Sequence, residues 1–219
     1  MADFEKILAA EGKPVGLGTL ETAYEASGQF LARVWREHKD VTGEEHVKAI
    51  LDAVDAALWN DVSPNVRTAL LNAYSQPALL VPPTVDPGAA AALETLRARG
   101  YTLAVVSNTM RTPGAALRKL LERFQLAHCF SHVTFSDEVG VRKPSPRIFQ
   151  LTLEAVGGDP ASSVHVGDDS ILDVEGARAA QMRVVQVTNA PLAASSVDAP
   201  DAVIKSLAAL PDAITALDK

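Results

Sequence analysis

Apolar residues recur three and four positions apart through the first 80 residues of the chain, which is the spacing of one face of an α-helix. One such stripe consists of Val47, Ile50, Leu51, Val54 and Leu58. Another follows Ser63 and Pro64, a pair typical of a helix N-cap and first turn. Further helices are predicted over residues 2–10 and 19–39. We therefore predict a helical bundle over residues 1–79.

Beyond Pro82 and Pro83 the pattern changes to short apolar runs that alternate with helical segments. These runs predict strands at 102–107, 132–136, 164–168, 184–188 and 202–204. Strands separated by helices form a parallel sheet that is covered by helices on both faces. We therefore predict a Rossmann-like α/β core over residues 80–219. Ligands of such sheets bind beyond the carboxyl ends of the strands, so the polar residues there are the candidates for chemistry.

The composition narrows the classes of function. The formal net charge is −7, which opposes binding to nucleic acid or to an anionic membrane surface, because both need basic patches. No apolar run approaches the roughly 20 residues that span a bilayer, and the first residues lack the pattern of a secretory signal. Cys129 is the single cysteine, so an intrachain disulfide is excluded. These features predict a soluble cytoplasmic protein.

Two places along the α/β part carry groups that can hold a phosphate. Ser107 and Asn108 end the strand at 102–107, where a hydroxyl, an amide and fresh backbone N–H groups can bind phosphate oxygens. Lys143 lies between a strand and a helix, where its ammonium could neutralise a carboxylate and a phosphate together. Each also has an ordinary interpretation, a polar turn for the first pair and a solvated loop lysine for the second.

The densest polar group is the acidic run at the end of the strand at 164–168. Asp168 and Asp169 come directly after Gly167, and Asp173 lies at the start of the next predicted helix. Carboxylates this close repel one another unless a cation lies between them, and oxygen ligands favour Mg²⁺ over zinc. Helix capping is the alternative, and it explains one or two of the three aspartates.

The order and spacing of these groups resemble the second, third and fourth motifs of the haloacid dehalogenase (HAD) superfamily, and the resemblance covers residues 80–219. The helical bundle is similar to the small helical cap of that family. The resemblance implies that Ser107 and Asn108 bind the transferring phosphoryl group and that Lys143 steadies the nucleophile and the phosphate. It further implies that Asp168, together with Asp169 or Asp173, holds Mg²⁺.

The chain departs from the family pattern at its beginning. Family members carry an Asp-x-Asp motif on a first strand before the cap, and the first of its aspartates attacks phosphorus; no Asp-x-Asp occurs in this chain. We therefore expect the first strand of the core to be missing, a loss of roughly 15–25 residues. The strands beside that gap would then either close up or be completed by another chain, so a homo-oligomer is expected.

These observations favour an Mg²⁺-dependent hydrolase acting on a small-molecule phosphate ester, with a metal-bound water attacking in place of the absent aspartate. Two other functions stay open. One is a catalytically inactive HAD-like binding or scaffold protein, which the loss of the nucleophile supports. The other is a 2-haloacid dehalogenase, although dehalogenases of this family need no metal and the acidic run therefore disfavours it.

Four other residues have predicted environments. Arg111, which follows Ser107 and Asn108 closely in the sequence, would either reach an anionic group of the substrate or be solvated. Tyr24 is expected in the core of the helical part, and Cys129 is expected to be a buried structural thiol. His165 is expected to be a core histidine or one that supports the acidic run from behind.

Overall fold

The computed structural model describes residues 1–188 and 199–218, and it divides into two compact units. The first unit comprises Met1–Pro83 and Thr109–Leu120; the second comprises Thr84–Asn108 and Leu121–Lys219. The division differs from the predicted boundary between residues 79 and 80, because residues 109–120 join the helical part. Pro113 explains this, since a Cβ added at Gly43 would lie only 2.8 Å from Pro113 Cγ.

The first unit is helical, as predicted. Its elements are α1 (Ala2–Ala10), α2 (Leu17–Arg36), α3 (Gly43–Val54), α4 (Leu58–Asp61) and α5 (Pro64–Leu80). Their apolar stripes meet in one core, whose buried members include Phe4, Leu8, Leu20, Val47, Ile50, Leu51, Trp59 and Leu70. The stripe that predicted a single helix over residues 47–58 is divided between α3 and α4, because Asp55 takes an extended conformation and ends α3.

Local capping fixes where the helices of this unit begin. At α3, Thr42 Oγ1 accepts a hydrogen bond from the N–H of Glu45, and the Glu45 carboxylate accepts one from the N–H of Thr42. This reciprocal pair satisfies two donors that the first turn of a helix leaves open. At α5, Ser63 Oγ accepts a hydrogen bond from the N–H of Val66, and Pro64 occupies the first turn, as the sequence predicts.

The second unit alternates strands and helices. In chain order, and including helix α7, which begins in the first unit, the elements are α6 (Ala89–Ala98), β1 (Ala104–Ser107), α7 (Gly114–Arg123), β2 (His132–Phe135), α8 (Ser136–Val139), α9 (Pro146–Val156), β3 (Val164–Gly167), α10 (Gly176–Ala179), β4 (Arg183–Val187), β5 (Ala202–Ile204) and α11 (Leu210–Leu217). Each predicted strand is present within a residue or two of its expected bounds.

The strands are parallel, as predicted, but within the described residues they form two sheets and not one. Strand β1 pairs with β2, while β3 pairs with β4 and β4 with β5. No pairing joins β1 to β3, so the expectation that the strands beside the gap might close up is wrong. Backbone pairing needs both strands at about 4.8 Å separation, and neither β1 nor β3 has a described partner on its second side.

Helices cover both faces of the larger sheet. Val184 and Val185 are adjacent in β4 and fully buried on opposite faces, as the alternation of side chains along a strand requires. Val184 packs in a core with residues of α9 and α10, and Val185 packs in a second core with residues of α6 and α11. No helix in the described parts of the chain is long and apolar enough to cross a membrane.

Candidate active site at the carboxyl ends of the strands

Asp173 is the centre of a hydrogen-bonded group at the carboxyl end of β3. Its Oδ1 lies 2.6 Å from Lys143 Nζ and 2.8 Å from His165 Nε2. Its Oδ2 accepts hydrogen bonds from the backbone N–H groups of Asp168 (3.2 Å) and Asp169 (3.0 Å). The residue is only 3% exposed, so this buried carboxylate receives four donors and has no oxygen left without a partner.

Opposing effects act on the pKa of Asp173. Burial acts to raise the pKa of this carboxyl group, because the charged form loses solvation. The hydrogen bond from His165 and the positive charge of Lys143 act against burial and outweigh it, and the pKa falls below the ordinary value of an aspartate. Asp173 is therefore ionised at neutral pH and serves as the counter-charge of Lys143.

The absence of a side chain at Gly167 lets the Asp173 carboxylate lie close to the end of β3. A Cβ added at Gly167 would lie 2.2 Å from Asp173 Cγ, far inside van der Waals contact. The chain after it forms a π-helical turn over Ser170–Glu175, in which the carbonyl of Asp169 accepts from both Asp173 N and Val174 N. This wide turn replaces the first part of the regular helix predicted over 171–180. Such turns are frequent at functional sites.

Asn108 fixes the backbone of Lys143. Its Oδ1 accepts a hydrogen bond from the N–H of Lys143 at 2.8 Å, and its Nδ2 donates to the carbonyl of Lys143 at 3.0 Å. The end of β1 and the lysine loop are thereby joined by two bonds. The amide is engaged with protein, so the structure gives Asn108 a positioning contact; its predicted contact with substrate stays a prediction.

Ser107 ends β1, paired in register with Phe135 of β2, and its side chain is half-buried. Within the described residues its hydroxyl makes no hydrogen bond to protein, so it is available to a ligand. Lys143 Nζ makes one described contact, to Asp173, and an ammonium has three donors. Two of the predicted phosphate-binding groups thus have donors to spare at the strand ends.

The three aspartates do not share one role. Asp169 Oδ1 caps the π-helical turn by accepting from the N–H groups of Ile171 and Leu172, both at 2.8 Å. Asp168 is exposed, and its carboxylate has no partner in the parts of the chain that the structure describes. Among those residues no three His, Cys, Asp or Glu side chains come together to hold a metal. The convergence expected of the three aspartates is absent, because Asp173 is turned inward to Lys143 and His165.

His165 and Gln186 support the site from the sheet. His165 was expected to be a core histidine or to support the acidic run, and it does both: it is buried and contacts Asp173, with its ring edge-to-face against Phe149. Gln186 was not predicted. It is buried, and its Nε2 donates to the carbonyl of Asp168 and to Ser170 Oγ, both at 3.1 Å. Its signal in the sequence is a single amide among the valines of β4.

Comparison with known proteins places the chain in a family. A family model for haloacid dehalogenase-like hydrolases matches residues 4–181, which includes the helical part as well as the acidic run. The chain belongs to the haloacid dehalogenase-like hydrolases. The family resemblance read from the motifs is thereby confirmed, as is the α/β fold with parallel strands.

Among curated members of the family, a phosphoserine phosphatase of Thermus thermophilus is 44% identical over 101 residues, covering 46% of this chain and 39% of the relative. A glyceraldehyde 3-phosphate phosphatase of Methanothermobacter thermautotrophicus is 33% identical over 153 residues, covering 69% of this chain and 58% of the relative. The chain thus spans less than two thirds of the length of either relative.

Solved structures of haloacid dehalogenase-like proteins share the fold. A 2-haloacid dehalogenase from Pseudomonas syringae superposes with a TM-score of 0.69 at 24% identity, covering 99% of this chain and 89% of that one. A HAD phosphatase from Thermococcus onnurineus gives a TM-score of 0.56 at 25% identity, covering 88% and 86%. The dehalogenase shows the fold alone at this level of identity, so it does not decide between dehalogenation and phosphate transfer.

Proposed function

We propose that this chain hydrolyses small phosphate monoesters at the carboxyl ends of β1 and β3, in an Mg²⁺-dependent reaction. The proposal rests on the placement of Lys143. Asn108 binds its backbone and Asp173 binds its ammonium, and the ammonium keeps two donors for a ligand. Two of the curated relatives are named as phosphatases of small metabolites, phosphoserine and glyceraldehyde 3-phosphate. Both names describe monoesters.

The lysine is suited to a negatively charged ligand. Its side chain is 13% exposed, so its charge is poorly screened by water and acts more strongly than a surface lysine would. Asp173 offsets this charge in the free protein through an ion pair of 2.6 Å. A phosphate added to this group would face the two remaining ammonium donors and the Ser107 hydroxyl. These groups would stabilise the negative charge that develops on the phosphoryl oxygens.

The residues present fit a magnesium ion only in part. Asp173 does not fit, because all its hydrogen-bonding capacity toward protein is taken by Lys143, His165 and two backbone groups. Asp168 fits, with an exposed carboxylate, and Asp169 has one oxygen beyond its capping bonds. Mg²⁺ commonly binds through one or two carboxylates, water and substrate phosphate. A bound ion would supply positive charge to the phosphoryl group and acidify nearby water.

The attacking group in this proposal is water, because the chain contains no Asp-x-Asp sequence. Lys143 and Ser107 would orient the ester, and Asn108, His165 and Gln186 would keep the lysine and the acidic turn in place. Every one of these side chains belongs to the second unit.

The test is a hydrolysis screen over phosphate mono-, di- and triesters, with Mg²⁺ or with a chelator, and with a 2-haloacid as a separate arm. We expect phosphate release from monoesters that the chelator abolishes and that Asp168→Asn shifts to a higher Mg²⁺ requirement. Glu175→Gln, an exposed carboxylate just beyond Asp173, is the matched control and should keep the wild-type requirement.

Two outcomes would contradict the proposal. Halide release that continues in chelator, without release of phosphate, would assign the chain to dehalogenation. Absence of turnover on every class, with the fold intact, would support the binding or scaffold role that the sequence leaves open.

We also propose that the chain self-associates through the edges of its sheets. Strand β1 has a described partner only in β2, and β3 only in β4. All four residues of β1 are half-buried, although its apolar sequence is typical of a fully buried strand. Unpaired backbone at a strand edge is a template for pairing with a further strand, and a second copy of the chain is the source proposed here.

A further inference from the structure

A cavity of about 340 Å³ lies wholly within the first, helical unit. Its wall is mixed: apolar and aromatic residues make up the larger part, Phe4, Tyr24 and Pro77 among them, and the polar side chains of Asp3, Gln76 and Thr112 also line it. One cationic side chain, Arg111, lines the same cavity. The volume lies at the lower end of the range for small-molecule sites, roughly 300–1,000 Å³, and an apolar wall with few polar groups is their usual construction.

Arg111 is held rigidly. Its guanidinium carbon lies 4.0 Å from the centre of the Tyr24 ring, in the stacked arrangement that attracts a cation to an aromatic face. Nη2 donates to the carbonyl of Tyr24 at 3.2 Å, and Nη1 lies 3.5 Å from Ser27 Oγ. Gly28 leaves room for this placement, since a Cβ there would lie 3.0 Å from Nη2. The solvated alternative for Arg111 is therefore wrong.

The charge of Arg111 is not balanced by the protein around it. The side chain is half-buried, and within the described residues no carboxylate lies within salt-bridge distance of it. Neutral groups provide its contacts, namely the Tyr24 carbonyl, the Ser27 hydroxyl and, more weakly, the Tyr74 phenol. A partly buried cation without a counter-charge is costly, and an anionic ligand would remove that cost.

The other polar groups of the cavity favour a ligand with a single negative charge. Burial raises the pKa of Tyr74, whose hydroxyl is 2.8 Å from His46 Nδ1, so the phenol stays neutral. Asp3 also lines the cavity, with its side chain 60% exposed and 3.5 Å from Lys6. Because the Asp3 carboxylate lies beside Lys6, Arg111 is the one charged side chain of the lining without an ionic partner among the described residues, and a single charge is better matched to a monoanion than to a phosphate dianion.

We propose that this cavity is a binding site for a small monocarboxylic acid with an apolar or aromatic body. The carboxylate would pair with the N–H groups of Arg111 that Tyr24 and Ser27 leave open, and the body would lie against the aromatic residues of the wall. The Tyr24 stack and its carbonyl hold the guanidinium in place before the ligand arrives, which lowers the entropy lost on binding. Every residue of this proposal belongs to the first unit, and the proposal does not rest on the proposed hydrolysis.

The experiment is isothermal titration of the full chain with three probes of matched shape. At mildly alkaline pH benzoate is a monoanion, benzamide is its neutral counterpart and phenylphosphonate is mainly a dianion. We expect benzoate to bind saturably and at least about tenfold more tightly than either of the others, since charge-assisted pairing to arginine is roughly twice as strong as neutral hydrogen bonding.

Substitutions at Arg111 test whether benzoate binds in this cavity. Arg111→Gln should weaken benzoate about tenfold or more, and Arg111→Lys should weaken it by less, because it keeps the charge and loses the fork. Arg36→Gln removes the same charge from an exposed arginine of α2 and should leave the affinity unchanged. Circular dichroism melting checks that each variant is folded. Because Arg111→Lys keeps the cation, it tests the site even where Arg111→Gln does not fold.

The proposal is overturned if benzoate shows no saturable binding at millimolar concentrations. It is also overturned if benzamide or phenylphosphonate equals benzoate, or if both Arg111 variants keep the wild-type affinity. None of these results bears on phosphate ester hydrolysis, whose test uses other ligands and other residues.

Discussion

At the scale of single residues, one carboxylate organises the candidate active site. Asp173 receives Lys143 and His165 on one oxygen and two backbone N–H groups on the other. The sequence predicted repulsion among Asp168, Asp169 and Asp173 that a metal ion would relieve. The structure relieves it differently, by giving the three carboxylates separate partners. Identical side chains close in sequence therefore differ in their surroundings: Asp168 is exposed, Asp169 caps a turn and Asp173 lies in a buried ion pair.

Replacing Asp173 by Asn should lower the free energy of unfolding by about 3 kcal/mol, because removing one partner of a buried pair leaves Lys143 as an uncompensated charge. Urea denaturation at neutral pH measures the change. Glu154→Gln is the control from the same unit, since its pair with Arg147 is exposed and should contribute less than about 1 kcal/mol. Equal effects of the two substitutions would show that the Asp173 group does not stabilise the fold.

At the scale of elements, the turn between β3 and α10 depends on glycine, which has no side chain, at position 167. The sequence GDDSILD predicts a strand end followed by a regular helix, and the helix was predicted from residue 171. The wide π-helical turn could not be foreseen, because it arises when Asp169 O accepts from two successive N–H groups while Asp173 folds back over Gly167. The propensities that predict helices describe single residues and contain no such contact.

Gly167→Ala should therefore destabilise the chain by about 3 kcal/mol, at the upper end of the cost of overpacking, since its Cβ would lie 2.2 Å from Asp173 Cγ. Gly18→Ala is the same chemical change inside helix α2, where nothing lies within 4 Å of the new Cβ. That control should stabilise by about 0.5 kcal/mol, because alanine favours the helix. Thermal and urea unfolding of both variants measure the difference, and a neutral Gly167→Ala would contradict the close packing.

The start of α6 should give the stability of the second unit a dependence on pH. The N–H groups of Gly88 and Leu207 donate to the Asp86 carboxylate and lower its pKa below the ordinary 3.8, while partial burial acts weakly in the opposite direction. A lowered pKa in the folded state stabilises the protein above the ordinary pKa, and that contribution is lost as the pH falls through the folded value.

We therefore expect the wild type to lose more stability than Asp86→Asn when the pH is lowered from about 5 to about 3. The urea midpoints of the two proteins, measured across that range, give the comparison. Parallel curves for the two proteins would mean that the Asp86 carboxylate is not preferentially bound in its charged form.

At the scale of the whole molecule, the sequence predicted the elements better than their assembly. The helical first part and the parallel α/β second part were predictable, since hydrophobic period and cap residues are local signals. The division of the strands into two sheets was not, because strand pairing depends on contacts between distant segments. The placement of residues 109–120 in the first unit was also missed, since it rests on Pro113 packing against Gly43.

The unpaired edges of β1 and β3 lead to a prediction about assembly. Sedimentation equilibrium over a range of concentrations should show a species of two chains or more, because edge backbone groups gain hydrogen bonds when another strand pairs with them. A single species with the mass of one chain at every concentration would contradict self-association through these edges. That result would leave the placement of Lys143 and Asp173 unaffected.

The most direct test of the account is the effect of Lys143 on phosphate monoester hydrolysis. The measurement is kcat/KM for the best monoester of the screen, with Lys143→Met compared with Lys205→Met, which removes an exposed lysine of the same unit. We expect a loss of about a hundredfold or more for Lys143→Met and little change for the control, because Lys143 is proposed to stabilise developing charge. Equal kcat/KM values for the two folded variants would contradict it.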